Sequence, residues 1–123
     1  MERDEFQGRH ILIVEDEFLI AEDLDERFTE LGADVVGPAA SVDYALDLIG
    51  STPRLDGALV DVNLGGKLAY PVMDALDARN VPFVLMSGYE DRLLRKRYPR
   101  AQSCQKPYEF AELKRALIAA LPV

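Results

Sequence analysis

The chain has 123 residues, a formal net charge of −8 and one cysteine. This length fits one domain, which we place over 1–123 with its core at about 9–121. The negative charge argues against a general nucleic-acid or anionic-membrane binder. One cysteine cannot form an internal disulfide, and no apolar run is long enough for a signal peptide or a membrane span, so we expect a cytoplasmic protein without membrane segments.

Apolar runs of two kinds alternate along the chain. Short continuous runs predict strands, and apolar residues at helical spacing predict helices. In chain order we expect a strand over 10–14, a helix over 17–31, a strand over 34–37, a helix capped by Ser41 and ending at Gly50, a strand over 57–62, a helix from near Pro71 to Arg79, a strand over 83–87, a short helix over 90–98, a polar edge strand over 102–104 and a helix over 109–121.

Five strand–helix units of this kind predict an α/β fold. Strands that are separated by helices must run parallel, because each crossover returns the chain to the same end of the sheet. The continuous apolar runs of the first, third and fourth strands suit strands covered on both faces. We therefore expect a doubly wound parallel sheet inside a three-layer α/β/α sandwich.

Chemically capable residues stand where the predicted strands end. Glu15 and Asp16 follow the first strand, Asp61 ends the third, Ser87 the fourth, and Lys106 follows the fifth. Polar residues often follow strands simply because loops are solvated. In a doubly wound sheet, however, ligands bind beyond the carboxyl ends of the strands, where all five would converge.

Three carboxylates at one place repel each other unless a cation lies among them. Oxygen ligands without a nearby His or Cys favour Mg²⁺, and the sole histidine, His10, precedes the first strand and is interpreted as a surface or strand-start residue. A magnesium site with a lysine and a hydroxyl indicates phosphoryl transfer. Because no GxxxxGK[ST] loop is present, we expect no nucleotide, and Asp61 is the candidate nucleophile.

In this order, ILIVEDE, LVDVNL, LMSG and QKP resemble the receiver domain of two-component response regulators (CheY-like) from about Arg9 to Leu121. The resemblance implies a flavodoxin-like sheet of order 2-1-3-4-5. It also implies a signalling domain that accepts a phosphoryl group from a sensor histidine kinase or phosphotransfer protein. The implied roles are the acceptor Asp61, the switch hydroxyl Ser87, the phosphoryl-pairing Lys106, and Mg²⁺ ligation by Asp16, by Asp61, by the backbone carbonyl of Asn63 and, through a water, by Glu15.

Three departures from the usual pattern concern the switch. Ser103 stands where receivers carry an aromatic residue, which puts the usual coupling of hydroxyl movement to an aromatic flip in doubt. VPFVLMSGYE resembles the PFxFATG-Y motif of the variant FAT GUY receivers, which implies a switch that involves Tyr89 or the helix after it; alternatively Tyr89 is a half-packed loop aromatic. After Asp61, the stretch NLGGK reads as a loop whose two glycines give it freedom to move.

Residues 92–100, RLLRKRYPR, carry five of the 14 basic residues and no acid. One interpretation is a solvated helix with Leu93 or Leu94 turned inward. The other is a surface near Arg92, Arg95, Lys96 and Arg97 on which an acidic output protein docks. Nucleic acid is not expected, because one short patch cannot offset the general repulsion.

The first hypothesis is a stand-alone receiver that catalyses only its own phosphorylation and dephosphorylation, and is not a turnover enzyme for a metabolite. Because no output domain fits after residue 121, we expect output through protein–protein contact or phosphoryl relay. One alternative is a degenerate receiver that acts as a phosphate-independent binding module. A haloacid dehalogenase-like phosphohydrolase is the other, but that chemistry requires Asp-x-Asp after the first strand, and here Phe18 stands two positions after Asp16.

Overall fold

The computed structural model describes residues 5–88 and 92–121. Among these residues, no helix combines the length and apolar character needed to cross a bilayer. The elements are β1 His10–Val14, α1 Phe18–Glu30, β2 Asp34–Ala39, α2 Val42–Ser51, β3 Gly57–Asp61, β4 Asn63–Leu64, β5 Lys67–Leu68, α3 Tyr70–Ala78, β6 Phe83–Ser87, α4 Arg92–Arg97, β7 Gln102–Gln105 and α5 Phe110–Ala120.

Five strands form one parallel sheet in the order β2-β1-β3-β6-β7. This order confirms the flavodoxin-like doubly wound sheet, because β6 and β7 are the predicted fourth and fifth strands. The three central strands are almost entirely buried, as their continuous apolar runs predict. The polar strand β7 lies at one edge of the sheet and pairs with β6.

Alternate residues of the central strands pack into two cores on opposite faces of the sheet. Leu12 and Val14 face the core that α2, α3 and α4 cover, whereas Ile11 and Ile13 face the core under α1 and α5. This alternation produces the predicted three layers. Phe6 lies ahead of the predicted core yet is 1 % exposed, and its ring meets that of Phe28 edge to face at 5.2 Å.

The stretch after Asp61 is an ordered hairpin rather than the expected loop. Strands β4 and β5 pair antiparallel through Asn63–Leu68 and Leu64–Lys67. Gly65 and Gly66 connect them with φ of +58° and +92°. A two-residue turn of type I′ requires positive φ at both central positions, which glycine adopts without steric cost. The glycines therefore shape a tight turn.

One arginine ties two helices together on the α2/α3 side. Arg79, predicted to lie on the third helix, caps α3. Its guanidinium donates hydrogen bonds to the carbonyls of Ile49, Thr52 and Pro53. These carbonyls belong to the end of α2 and the loop after it, where backbone acceptors lack intrahelical partners. Arg79 thereby fixes the end of α3 against α2.

Candidate functional site

Three carboxylates meet at the carboxyl ends of β1 and β3. One carboxylate oxygen from each of Glu15, Asp16 and Asp61 lies within 4.8 Å of the other two. Glu15 and Asp61 are buried, at 1 % and 6 % exposure, while Asp16 is partly exposed. The parallel topology brings them together, because neighbouring strands end at the same edge.

The ammonium of Lys106 lies between two of these carboxylates. Its Nζ is 2.8 Å from Asp61 Oδ2 and 3.3 Å from Glu15 Oε1. The lysine follows the edge strand β7, and its backbone N–H donates to the carbonyl of Ser87 at 2.6 Å. Burial lowers the pKa of Lys106, but the hydrogen bond to Asp61 and the charge of Glu15 outweigh it and raise the pKa overall. Lys106 is therefore a fixed positive charge.

The Glu15 carboxyl has a raised pKa. Burial raises its pKa to about 7, and the nearby charge of Asp61 acts in the same direction. The backbone N–H of Glu17, which donates to Glu15 Oε2 at 3.1 Å, and the charge of Lys106 counteract part of this rise. The single positive charge of Lys106 therefore offsets only part of the repulsion among the three carboxylates.

The β4–β5 hairpin supplies backbone donors to the remaining carboxylate oxygens. The N–H of Asn63 donates to Asp61 Oδ1 at 3.1 Å, and the N–H of Gly65 donates to Asp16 Oδ2 at 2.9 Å. Asn63 Oδ1 accepts the N–H of Gly66 at 2.8 Å and closes the turn. Sequence reasoning missed these donors because they are backbone groups, although the two glycines between leucines signalled a hairpin.

These groups line one cavity of about 430 Å³. Asp16, Asp61, Asn63, Ser87 and Lys106 contribute to its wall, with the hairpin and Gly88 around them. The structure thus brings together all the residues that the sequence placed at this edge, with Glu15 buried beneath Lys106. Their individual roles stay a prediction.

The donor set fits a hard divalent cation. Three carboxylates converge and no imidazole or thiolate is among them, which is the composition that Mg²⁺ prefers. His10 lies at the opposite end of β1, where Nε2 is 3.8 Å from Asp34 and Nδ1 is 3.7 Å from Asp56. It is a strand-start residue and is distant from this cluster.

The predicted departures from the usual switch concern Ser103 and Tyr89. Ser103 is exposed on the edge strand β7 and is paired in register with Leu85. Tyr108, two residues after Lys106, places its hydroxyl 3.6 Å from the sulfur of Met86. Burial, and next the charge of Glu15, raise the pKa of Tyr108 to about 12. Tyr89, and with it the first part of the predicted 90–98 helix, lies outside the described residues.

Arg97 of α4, together with Tyr98 and Arg100 after the helix, forms a clasp between the α4 segment and α3. Leu94 is the buried leucine of the helix, whereas Leu93 is 71 % exposed. The Arg97 guanidinium pairs with Asp74 at 2.9 Å and lies 4.8 Å from the centre of the Tyr70 ring. The predicted docking residue Arg97 thus forms an intramolecular ion pair while its side chain stays 52 % exposed, and its docking role stays a prediction.

Asp74 accepts a second hydrogen bond in this clasp. The Tyr98 hydroxyl donates to it at 2.6 Å, and this bond, together with Arg97, lowers the pKa of Asp74. One turn further along α3, Asp77 pairs with Arg100 at 3.1 Å. Two of the five basic residues of the 92–100 stretch therefore face carboxylates of α3.

The chain resembles proteins of known structure over its whole length. It is 35 % identical to SdrG from Sphingomonas melonis Fr1, covering 100 % of both chains with a TM-score of 0.75. In a structure described as the BeF₃-activated conformation of SdrG, from Pseudomonas melonis Fr1, the identity is 38 %, with 90 % and 93 % of the two chains covered and a TM-score of 0.71.

Longer proteins contain a similar segment. The response regulator PhyR from Brucella abortus is 28 % identical over 96 % of this chain and 50 % of that one, with a TM-score of 0.80. The phyllosphere-induced regulator PhyR from Methylorubrum extorquens is 32 % identical over 114 residues, which are 90 % of this chain and 43 % of that protein. The chain thus spans less than half of this curated relative, and no family model matches it.

Proposed function

Since this chain belongs to the receiver-domain family of response regulators, we propose that it is a phosphorylation-controlled signalling domain with Asp61 as the acceptor. The observation that carries this proposal is the way Asp61 is held. Asn63 N–H binds one carboxylate oxygen and Lys106 binds the other, inside a cleft that two further carboxylates share. An oriented aspartate beside a fixed positive charge is equipped to attack phosphorus.

In the proposed reaction, an Asp61 oxygen attacks the phosphorus of a phosphohistidine. The O–P bond forms as the N–P bond breaks, and the histidine nitrogen leaves with the electron pair. Lys106 neutralises charge on the phosphoryl oxygens, and the Ser87 hydroxyl donates a hydrogen bond to one of them. Asp16, Asp61, the Asn63 carbonyl and, through a water, Glu15 would hold Mg²⁺, which would supply further positive charge to offset these carboxylates.

The phosphodonor is a histidine kinase or a phosphotransfer protein that covers an apolar surface beside the cleft. Phe18 and Leu19, which follow the acidic residues directly, are 75 % and 79 % exposed. The groove between α1 and the loop before α5 runs from Leu19 to Lys106 and Phe110. An exposed apolar pair at the rim of a charged cleft suits a protein donor better than a small metabolite.

The switch is of the FAT GUY type. In the sequence, Pro82, Phe83, Gly88 and Tyr89 match that motif, with Ser87 in place of its Thr and Leu85 in place of its second Phe. Ser103 supplies no ring to the usual aromatic flip. Output passes through protein contacts made in the cytoplasm, including contacts near Arg92, Arg95, Lys96 and Arg97, and not through DNA binding or turnover of a metabolite.

The acceptor is tested by mass spectrometry of the intact protein. Acetyl phosphate or phosphoramidate with Mg²⁺ should add about 80 Da, one phosphoryl group, to the wild type and to Asp77→Asn, a control at a surface ion pair. Asp61→Asn should gain nothing. A gain on Asp61→Asn, or none on the wild type, would count against Asp61 as acceptor.

The exposed Ser103 favours one rival function, a phosphate-independent binding module. A partner pull-down with and without beryllofluoride distinguishes the two functions. Partners retained only with beryllofluoride support the switch, whereas equal recovery in both conditions supports the binding module.

A further inference from the structure

We propose that the β4–β5 hairpin is a positioning element of the acidic cluster and sets its affinity for a divalent cation. The turn that Asn63 closes holds the Gly65 N–H against Asp16, which keeps that carboxylate turned toward Glu15 and Asp61 before any ion binds. This inference rests on the proposed function, because the cation is the one that the receiver site would hold.

The turn is built so that one backbone donor faces the cluster. Gly65 and Gly66 both have positive φ, and the Asn63 side chain accepts the N–H of Gly66 at 2.8 Å. This geometry leaves the N–H of Gly65 directed at Asp16 Oδ2, 2.9 Å away. Gly65 and Gly66 also line the cavity, so the tip of the hairpin is part of the site.

The base of the hairpin is fixed to the core, which gives its tip a defined place. Leu64 is 5 % exposed and packs with the residues of the α2/α3 core. Ala69 is fully buried, and its N–H donates to the carbonyl of Val62 at 2.8 Å. A short hairpin anchored at both ends can hold a donor in place, whereas a free loop cannot.

Asp16 needs this support more than its neighbours do. Glu15 and Asp61 are buried and both contact Lys106, while Asp16 is partly exposed and begins the turn into α1. A partly exposed aspartate without a fixed donor samples several rotamers. The entropy lost when an ion selects one rotamer then reduces the binding free energy. Losing one hydrogen bond of this kind should weaken cation binding roughly three- to ten-fold.

Two substitutions at Gly65 should act in different directions. Asn adopts positive φ readily, and Asn-Gly is the preferred pair in a type I′ turn. A Cβ at this position would lie 3.8 Å from Asp16 Oδ2, an ordinary contact. Gly65→Asn should therefore bind Mg²⁺ at least as tightly as the wild type. Gly65→Val, strained at positive φ, and Asn63→Ala, which removes the side-chain acceptor, should bind it more weakly.

The experiment is a Mg²⁺ titration of each full-length variant followed by amide NMR shifts, with thermal unfolding as the check on folding. Gly50→Ala is the matched glycine control, because a Cβ there meets open space at the end of α2. The proposal is supported if Asn63→Ala and Gly65→Val bind Mg²⁺ more weakly than the wild type. In addition, Gly50→Ala should bind Mg²⁺ within about two-fold of the wild type, and Gly65→Asn within about two-fold or more tightly. Unchanged or tighter binding by Asn63→Ala and Gly65→Val would overturn the proposal.

A second readout needs no metal. In the ion-free protein, hydrogen exchange at the Gly65 amide should be slow in the wild type and in Gly65→Asn, and faster in Asn63→Ala. Equal exchange in all three would refute the hydrogen bond that carries the inference. Failure of the wild type to bind Mg²⁺ would reject the proposed function as well. Normal phosphorylation with unchanged Mg²⁺ affinity in the weakened variants would reject the hairpin proposal alone.

Discussion

Replacement of Lys106 by methionine tests how the acidic cluster is held in the ion-free protein. The change keeps most of the side-chain volume and removes the charge from between Asp61 and Glu15. Two unit charges 2.8 Å apart, the Lys106–Asp61 distance, attract by roughly 6 kcal/mol at an effective dielectric constant of 20.

The net effect of Lys106→Met is smaller than this attraction. Desolvating the lysine, whose side chain is 26 % exposed, offsets much of it. Glu15, whose pKa burial already raises to about 7, can take up a proton once the lysine is gone, which limits the cost further. We expect a loss of about 2 kcal/mol in the free energy of unfolding, or a fall of about 1 M in the urea midpoint.

The assay is urea unfolding followed by circular dichroism at pH 7.5, in chelator and again with Mg²⁺. Lys96→Met, which removes the same charge from an exposed position on α4, is the control and should shift the midpoint little. Mg²⁺ should restore part of the stability lost in Lys106→Met. The reasoning is refuted if Lys106→Met and Lys96→Met unfold at the same urea concentration in chelator.

Three further changes test the packing of the fold. Arg79→Ala should lower the free energy of unfolding by about 2 kcal/mol, because three backbone carbonyls lose their donor. Urea unfolding measures this loss, and an unchanged midpoint would show that water replaces the arginine as the donor. Asp74→Asn should destabilise the protein at neutral pH, and the difference from the wild type should shrink progressively as the pH falls below about 4, because a lowered pKa gives stability that is lost as the carboxyl of the folded protein takes up a proton. Thermal unfolding against pH should show the two curves converging in acid. Gly57→Val should strongly destabilise the protein, because the added Cβ alone would lie 3.1 Å from the Leu121 side chain and 3.2 Å from that of Leu117. A melting temperature equal to that of the wild type would contradict this prediction.

The fold could be predicted because burial on both faces leaves a clear trace in the sequence. GALV before Asp61 and FVLM before Ser87 are continuous apolar runs, and they lie in the central strands β3 and β6. The parallel topology then fixed which strand ends meet, and so which carboxylates converge. The direction of Lys106 could not be predicted, because it depends on where the edge strand β7 places its last residues relative to β1.

The hairpin and the α4 clasp escaped prediction for different reasons. Two-residue strands are too short to show periodicity, so NLGGK read as a loop, although paired glycines are also what a type I′ turn requires. The sequence indicates a basic surface at 92–100 only because these residues include five basic residues and no acidic one. The stacking of Arg97 on Tyr70 depends on how α3 and α4 pack, which no local pattern encodes. Phe6 was left out of the core because its partner Phe28 is distant in sequence.

The clasp between α3 and α4 changes what an approaching protein would meet on this side of the molecule. Arg97 and Arg100 form ion pairs with Asp74 and Asp77, so this part of the surface carries charges of both signs and is not uniformly positive. A ligand carrying only negative charge gains little attraction there. Complementarity would instead demand alternating charge, together with an apolar group for the protruding Leu93.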